Sequence, residues 1–100
     1  MFGLSEENIA EIRNILSQFV EIEQAMIFGS RAKGNFKKTS DIDIVLKGNK
    51  ITHNVVLSLS IKLNEESLMP YHFDVINYNT IENKALLDHI NQFGLQFHSQ

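Results

Sequence analysis

Apolar and polar positions follow two rhythms along this chain, and the rhythms divide it into elements. Ile9, Ile12, Leu16, Phe19 and Val20 recur at three- and four-residue steps, which predicts one apolar helix face ending near Val20. Ser5 can cap the first amides of that helix, and Glu6 and Glu7 oppose the positive end of its dipole. "QAMIF" is a short apolar run stopped by Gly29 and reads as a buried strand. "DIDIVL" sets Asp41 and Asp43 against Ile42, Ile44 and Leu46, the two-residue period of a strand, and "KGNK" closes it as a turn. Thr52 can cap a second long helix with Val55, Val56, Leu59, Leu63 and Leu68 on its inner face, and Pro70 helps to end the connection. "HFDVINY" predicts a third strand, with Phe73 and Val75 on one side and Asp74 and Ile76 on the other. Thr80 is expected to cap a last helix that turns Ala85, Leu86, Ile90 and Phe93 inward and stops at Gly94.

The resulting order is helix, strand, short helical turn, strand, helix, strand, helix. It predicts a small α+β domain of α/β-like character, with a three-stranded mixed sheet and helices packed on one face. No repeat, low-complexity segment or linker interrupts it, so residues 1–100 are expected to form a single domain.

Composition narrows the function classes. Of 100 residues, 43% are hydrophobic and 21% charged, as in an ordinary globular protein. A net charge of −3 argues against bulk attraction to nucleic acid or to an anionic membrane. With no cysteine, disulfides and thiolate metal sites are excluded. "MFGLSEENIAEI" lacks the basic region and apolar core of a signal peptide, and no apolar run approaches the ~20 residues that span a bilayer. A cytoplasmic location is the expectation.

The chemistry concentrates in "FGSRAKGNFKKTSDID", residues 28–43. Residues two apart in a strand share a face, so Asp41 and Asp43 project together while Ile42 and Ile44 enter the core. Two carboxylates that close repel unless a cation sits between them. Oxygen-only ligation suits Mg²⁺ or Mn²⁺, usually with substrate phosphates completing the shell. Asp74 is a third candidate if its strand neighbours the first pair. Two metal ions bridged by such acids can activate an attacking oxygen and neutralise the leaving group in a displacement at phosphorus. Upstream, Gly29 permits a sharp turn, Ser30 offers a hydroxyl and an amide, and Arg31, Lys33, Lys37 and Lys38 can offset triphosphate charge. The segment therefore reads as a phosphate holder followed by a metal holder, with a metal-bound nucleoside triphosphate as the ligand. Two better-known phosphate motifs fail. Gly29 and Gly34 have P-loop spacing, but Asn35-Phe36 stands where Lys-Ser/Thr is required, and the third glycine of a dinucleotide fingerprint is missing.

Gly29-Ser30, ten residues, then Asp41-Ile42-Asp43 between apolar neighbours resembles the signature of the DNA polymerase β-like nucleotidyltransferase superfamily. "GSRAKG" and the small size look like its minimal nucleotidyltransferases, the antitoxin halves of HEPN–MNT toxin–antitoxin pairs. The resemblance spans residues 9 to 97 by order of elements and is most specific over residues 28 to 46 and "FDVI" around Asp74. It implies that Gly29 and Ser30 hold the triphosphate, beside which the charge of Arg31 makes it a further expected nucleotide ligand, and that Asp41, Asp43 and Asp74 hold metal, Mg²⁺ or Mn²⁺ as two ions. It implies ATP as substrate, Asp74 as the acid that helps to activate the attacking hydroxyl, and AMP transfer to a small all-helical HEPN-type partner protein. Lys33 departs from the arginine common in minimal members; it keeps the charge without the planar fork.

Plainer readings stand beside these. An Asp-x-Asp on a strand commonly faces solvent without a ligand, and a single acid such as Asp74 suits a sheet edge. The basic run can be a solvated loop. His53, His72, His89 and His98 show no ligand spacing and read as ordinary histidines. Phe93, Leu95 and Phe97 close the core or form an apolar patch for a partner. The principal rival function is a non-catalytic module that neutralises a helical partner by docking. A transferase acting on antibiotics or RNA ends is weaker, because such enzymes usually hold the acceptor with a second domain.

Overall fold

In the computed structural model, which describes residues 1–99, the caps and breakers act much as their chemistry dictates. The elements are α1 (Glu6–Ser17), β1 (Gln24–Phe28), α2 (Ser30–Lys33), β2 (Ile42–Lys47), α3 (His53–Ile61), β3 (Phe73–Asn77), α4 (Lys84–Phe93) and β4 (Leu95–Ser99). Ser5 Oγ accepts the Asn8 N–H at 3.1 Å, and Thr52 Oγ1 accepts the Val55 N–H at 3.2 Å. A π-helical turn, Lys62–Glu66, extends α3, and a 3-10 turn, Tyr78–Thr80, follows β3.

The strands form one mixed sheet in the order β3-β2-β1-β4. β1 runs antiparallel to both β2 and β4, while β2 and β3 are parallel and joined through α3, the long crossover that a parallel pair requires. The α+β expectation holds, but the sheet has a fourth strand. "LQFHS" pairs with β1 along its free edge, burying Phe97 while Leu95 stays 47% exposed.

The helices also divide between the faces rather than sharing one. Ala25, Ile27, Ile42, Ile44, Leu46 and Phe73 meet Ile12 and Leu16 of α1 and Leu59 of α3 in the main core. On the opposite face, Phe28 and Val45 pack with Ile90 of α4, flanked by Met26, Ile76 and Leu86. Covering both faces is what a sheet with apolar side chains on both sides demands. Asp43 shares a face with Val45, so the acids lie on the α4 side, beyond the apolar part that α4 covers.

Three local expectations shift. α1 stops at Ser17, leaving Val20 exposed; Leu68 lies outside α3, fully exposed; and α4 starts after Asn83, whose side chain accepts the Leu86 N–H. Thr80 instead donates its hydroxyl to Asn77 O within the 3-10 turn.

One polar side chain sets the outer edge of β3. Asn64, in the π-helical turn, accepts the Phe73 N–H at 2.7 Å and donates to Phe73 O at 2.9 Å. It pairs with the free edge as another strand would and fixes the backbone just before Asp74. Asn64→Ala is expected to cost about 1–3 kcal/mol, because both Phe73 groups lose their partner in a half-buried setting. Denaturant melts check this, and an unchanged midpoint contradicts it.

Candidate active site

β1 ends where β2 and β3 begin. Phe28 stands opposite Asp43, and Asp43 opposite Asp74, in adjacent registers. The two-residue strand period then turns Asp41, Asp43, His72 and Asp74 to one side of the sheet. Asp41, His72 and Asp74 each bring a ligand atom into a group whose atoms all lie within 4.8 Å of one another, and all three residues are exposed. His72 Nε2 lies 3.1 Å from Asp74 Oδ1. The structure thus brings the three expected acids together at one end of the sheet and adds a histidine.

Gly29 joins this cluster to the turn before α2. Its φ of +75° favours glycine, and an added Cβ would overlap Asp43 Oδ2 and lie 3.2 Å from Asp43 Cγ. The turn and the carboxylate are therefore packed as one unit. Ser30 opens α2, and the Lys33 N–H closes it onto Gly29 O at 3.1 Å. The Gly29 N–H itself is engaged: it donates to His89 Nε2 of α4 at 2.9 Å.

Crowding shows in the electrostatics. Burial of the Asp43 carboxyl, then the charges of Asp74 and Asp41, then a hydrogen bond with Asp74 push its pKa from 3.8 up to about 6, against a smaller opposing pull from His72. In the unfolded chain Asp43 ionises at its ordinary value. Between that value and about 6 the folded state holds the extra proton. The contribution of Asp43 to stability is therefore greatest at acid pH and is lost as pH rises through the folded value. A divalent cation reverses the penalty by supplying the missing positive charge. Metal affinity is expected to rise between about pH 5 and pH 7, with proton release on binding. Calorimetry in buffers of different ionisation enthalpy reads that release; affinity independent of pH contradicts it.

Arg31 departs from its expected role as a nucleotide ligand. It is 3% exposed, and its guanidinium turns under the 37–41 loop. Nη1 donates to Phe2 O at 2.9 Å, Nε and Nη2 to Ser40 O at 3.1 and 2.9 Å, and Nη2 also to Lys38 O at 3.3 Å. Its charge lies over the rings of Phe36 and Tyr71 at 5.2 and 5.1 Å. Those contacts consume the fork that would grip phosphate. Arg31 instead ties the turn to the residues that precede Asp41 and Asp74. Lys33 leans over the Phe93 ring of α4 at 5.2 Å, and Lys37 and Lys38 are exposed on the loop.

Two histidines that sequence reasoning set aside belong to this region. His72 was findable, since it lies two residues before Asp74 on a strand. His89 had no sequence signal, because its partner is a backbone amide 60 positions away. A hollow of about 740 Å³ lies between α1 and β4 and is lined by Met1, Glu6, Ile9, Arg13 and His98 among others. Asp41, Asp43 and Asp74 are not among its lining residues.

The family described as "Polymerase beta, Nucleotidyltransferase" matches residues 10–100. A Haemophilus influenzae protein named "Probable protein adenylyltransferase MntA" is 29% identical over 77 residues, which is 77% of this chain and 68% of that protein. A crystal structure of a toxin–antitoxin with AMP-PNP superimposes with a TM-score of 0.72 at 20% identity, covering 97% of this chain and 75% of that one. The MntA–HepT toxin–antitoxin gives 0.69 at 18% identity, covering 96% and 74%. At these identities the solved structures establish the fold.

Proposed function

Because this chain belongs to the polymerase β nucleotidyltransferase family, we propose that it transfers AMP from ATP to a hydroxyl on a small all-helical partner protein, and that the transfer silences that partner as an antitoxin does. The observation that carries the reading is the packing of Asp43 against the Gly29 turn with Asp74 beside it in register. It sets a triphosphate seat next to a carboxylate cluster. The name of the Haemophilus influenzae relative and the fold shared with toxin–antitoxin structures support the acceptor and the biological role.

The residues suit Mg²⁺ or Mn²⁺. Carboxylate oxygens are hard donors, and Asp43, whose pKa is raised first by burial and then by the charges of Asp74 and Asp41, is a carboxylate whose charge a cation would offset. Asp41, Asp43 and Asp74 would hold the ions, which when bound polarise the α-phosphate and offset charge on the pyrophosphate leaving group. The chain's own groups do the rest. The Ser30 hydroxyl and amide orient the outer phosphates, with Gly29 shaping the turn that presents them. Asp74, exposed at the edge strand, receives the acceptor hydroxyl and draws off its proton as the oxygen attacks the α-phosphorus. The bond from that phosphorus to the bridging oxygen breaks, and pyrophosphate leaves. A docked partner supplies the positioning that two reactants require.

The test is intact-mass spectrometry of the helical partner after incubation with this chain, ATP and Mg²⁺. Addition of one or more AMP units is expected. An unmodified partner in a stable complex would favour the docking module instead.

A further inference from the structure

We infer that His89 is a positioning residue for the nucleotide turn: its Nε2 accepts the Gly29 N–H and pins that turn to α4. The inference deepens the transferase reading and rests on it. The hydrogen bond is 2.9 Å long and joins residues 60 apart, so nothing local produces it. Accepting through Nε2 leaves the proton of the neutral ring on Nδ1. The ring is held from two directions. Phe28 meets it edge-on at 6.2 Å, and Phe93, one helical turn further along α4, lies 5.4 Å away. Below it, fully buried Ile90 anchors α4 against Phe28 and Val45.

Gly29 is thus gripped on both sides. Asp43 fills the space where its side chain would stand, and His89 takes its amide. A triphosphate seat that is rigid before the ligand arrives avoids an ordering cost on binding. Lys33 of α2 over Phe93 is a second tie of this segment to α4. One consequence is a division of labour: the Gly29 N–H serves the protein, and Ser30 is left to serve the phosphate. His89 acts through Gly29 and touches no reacting atom.

The experiment measures the affinity of the parent, His89→Phe and His89→Gln for a non-hydrolysable ATP analogue with Mg²⁺, together with melting temperature and the KM and kcat of transfer. Phenylalanine keeps the packing and removes the acceptor; glutamine returns an oxygen near the Nε2 position. His89→Phe is expected to weaken binding by about tenfold, the effect of one well-placed hydrogen bond. KM should rise by a similar factor with kcat changed less, and His89→Gln should recover most of the loss. Equal binding by the parent and His89→Phe overturns the inference and leaves the transferase reading standing. A parent that binds no nucleotide overturns the transferase reading and the inference with it. Nitrogen NMR of the parent imidazole needs no variant to fold: a proton on Nδ1 with Nε2 accepting is expected, and a proton on Nε2 at pH 8 overturns the assignment.

Discussion

Asp43→Asn is expected to abolish transfer while making the metal-free protein more stable at neutral pH. The amide is close in shape to the carboxylate, so the fit against Gly29 is retained. It carries no charge, so the burial and the repulsion from Asp74 and Asp41 that raise the Asp43 pKa no longer act against the folded state. Loss of one of the carboxylates proposed to hold metal should lower the transfer rate by more than about 10²-fold, the scale seen when a single preorganised electrostatic group is removed. Docking to the helical partner should be untouched, because Asp43 is half-buried between β1 and β3. Melting curves with and without Mg²⁺ check the stability half: the parent should gain more from metal than the variant. A variant that melts earlier than the metal-free parent would make Asp43 a structural residue.

Arg31→Ala is expected to produce the largest loss of stability at any site-adjacent position. Four hydrogen bonds to three carbonyls disappear, and the ring faces of Phe36 and Tyr71 lose their cation. Partly buried carbonyls without a donor make the loss about 3 kcal/mol or more. For a domain of this size that is a fall in Tm of roughly 10–20 °C. Arg31→Lys should recover little, because a single ammonium cannot reach Phe2 O and Ser40 O from one position or stack as a plane does. Nucleotide binding should fall in proportion to unfolding and recover on cooling, as befits a residue that positions Asp41 rather than touching phosphate. Full rescue by lysine would mean that charge, not the planar fork, is what the 37–41 loop requires.

The parts of this site that the sequence revealed are those whose chemistry is local. Asp41 and Asp43 announce a shared face by alternating with Ile42 and Ile44, and Gly29 announces a turn by ending an apolar run. Asp74 sits in a strand that its apolar neighbours made legible, but its place beside Asp43 depends on strand order, which only the parallel pairing of β2 with β3 supplies. Arg31 was hidden because its partners are backbone carbonyls at Phe2, Lys38 and Ser40, and a carbonyl leaves no trace in a residue pattern. β4 was missed for a related reason. In "LQFHS" only Phe97 is buried, since the strand lies at the sheet edge, and one inward residue carries no period. The amphipathic face of α4 was readable, but the sheet face it covers was not. Met26, Ile27 and Phe28, like Ile44, Val45 and Leu46, are apolar without alternation because both faces are covered. Asn83 displaced Thr80 as the cap because two capping residues stood three apart, and the 3-10 turn claimed the earlier one.

The central claim is that the Gly29-Ser30 turn and the three acids place the α-phosphorus of a nucleoside triphosphate for transfer. ATP labelled separately at the α- and γ-phosphates, incubated with this chain, Mg²⁺ and the helical partner, tests it most directly. Label from the α-position should appear on the partner in step with released pyrophosphate, and label from the γ-position should leave entirely with the pyrophosphate. Label from the γ-position on the partner, or none from either position while the complex forms, would contradict the account.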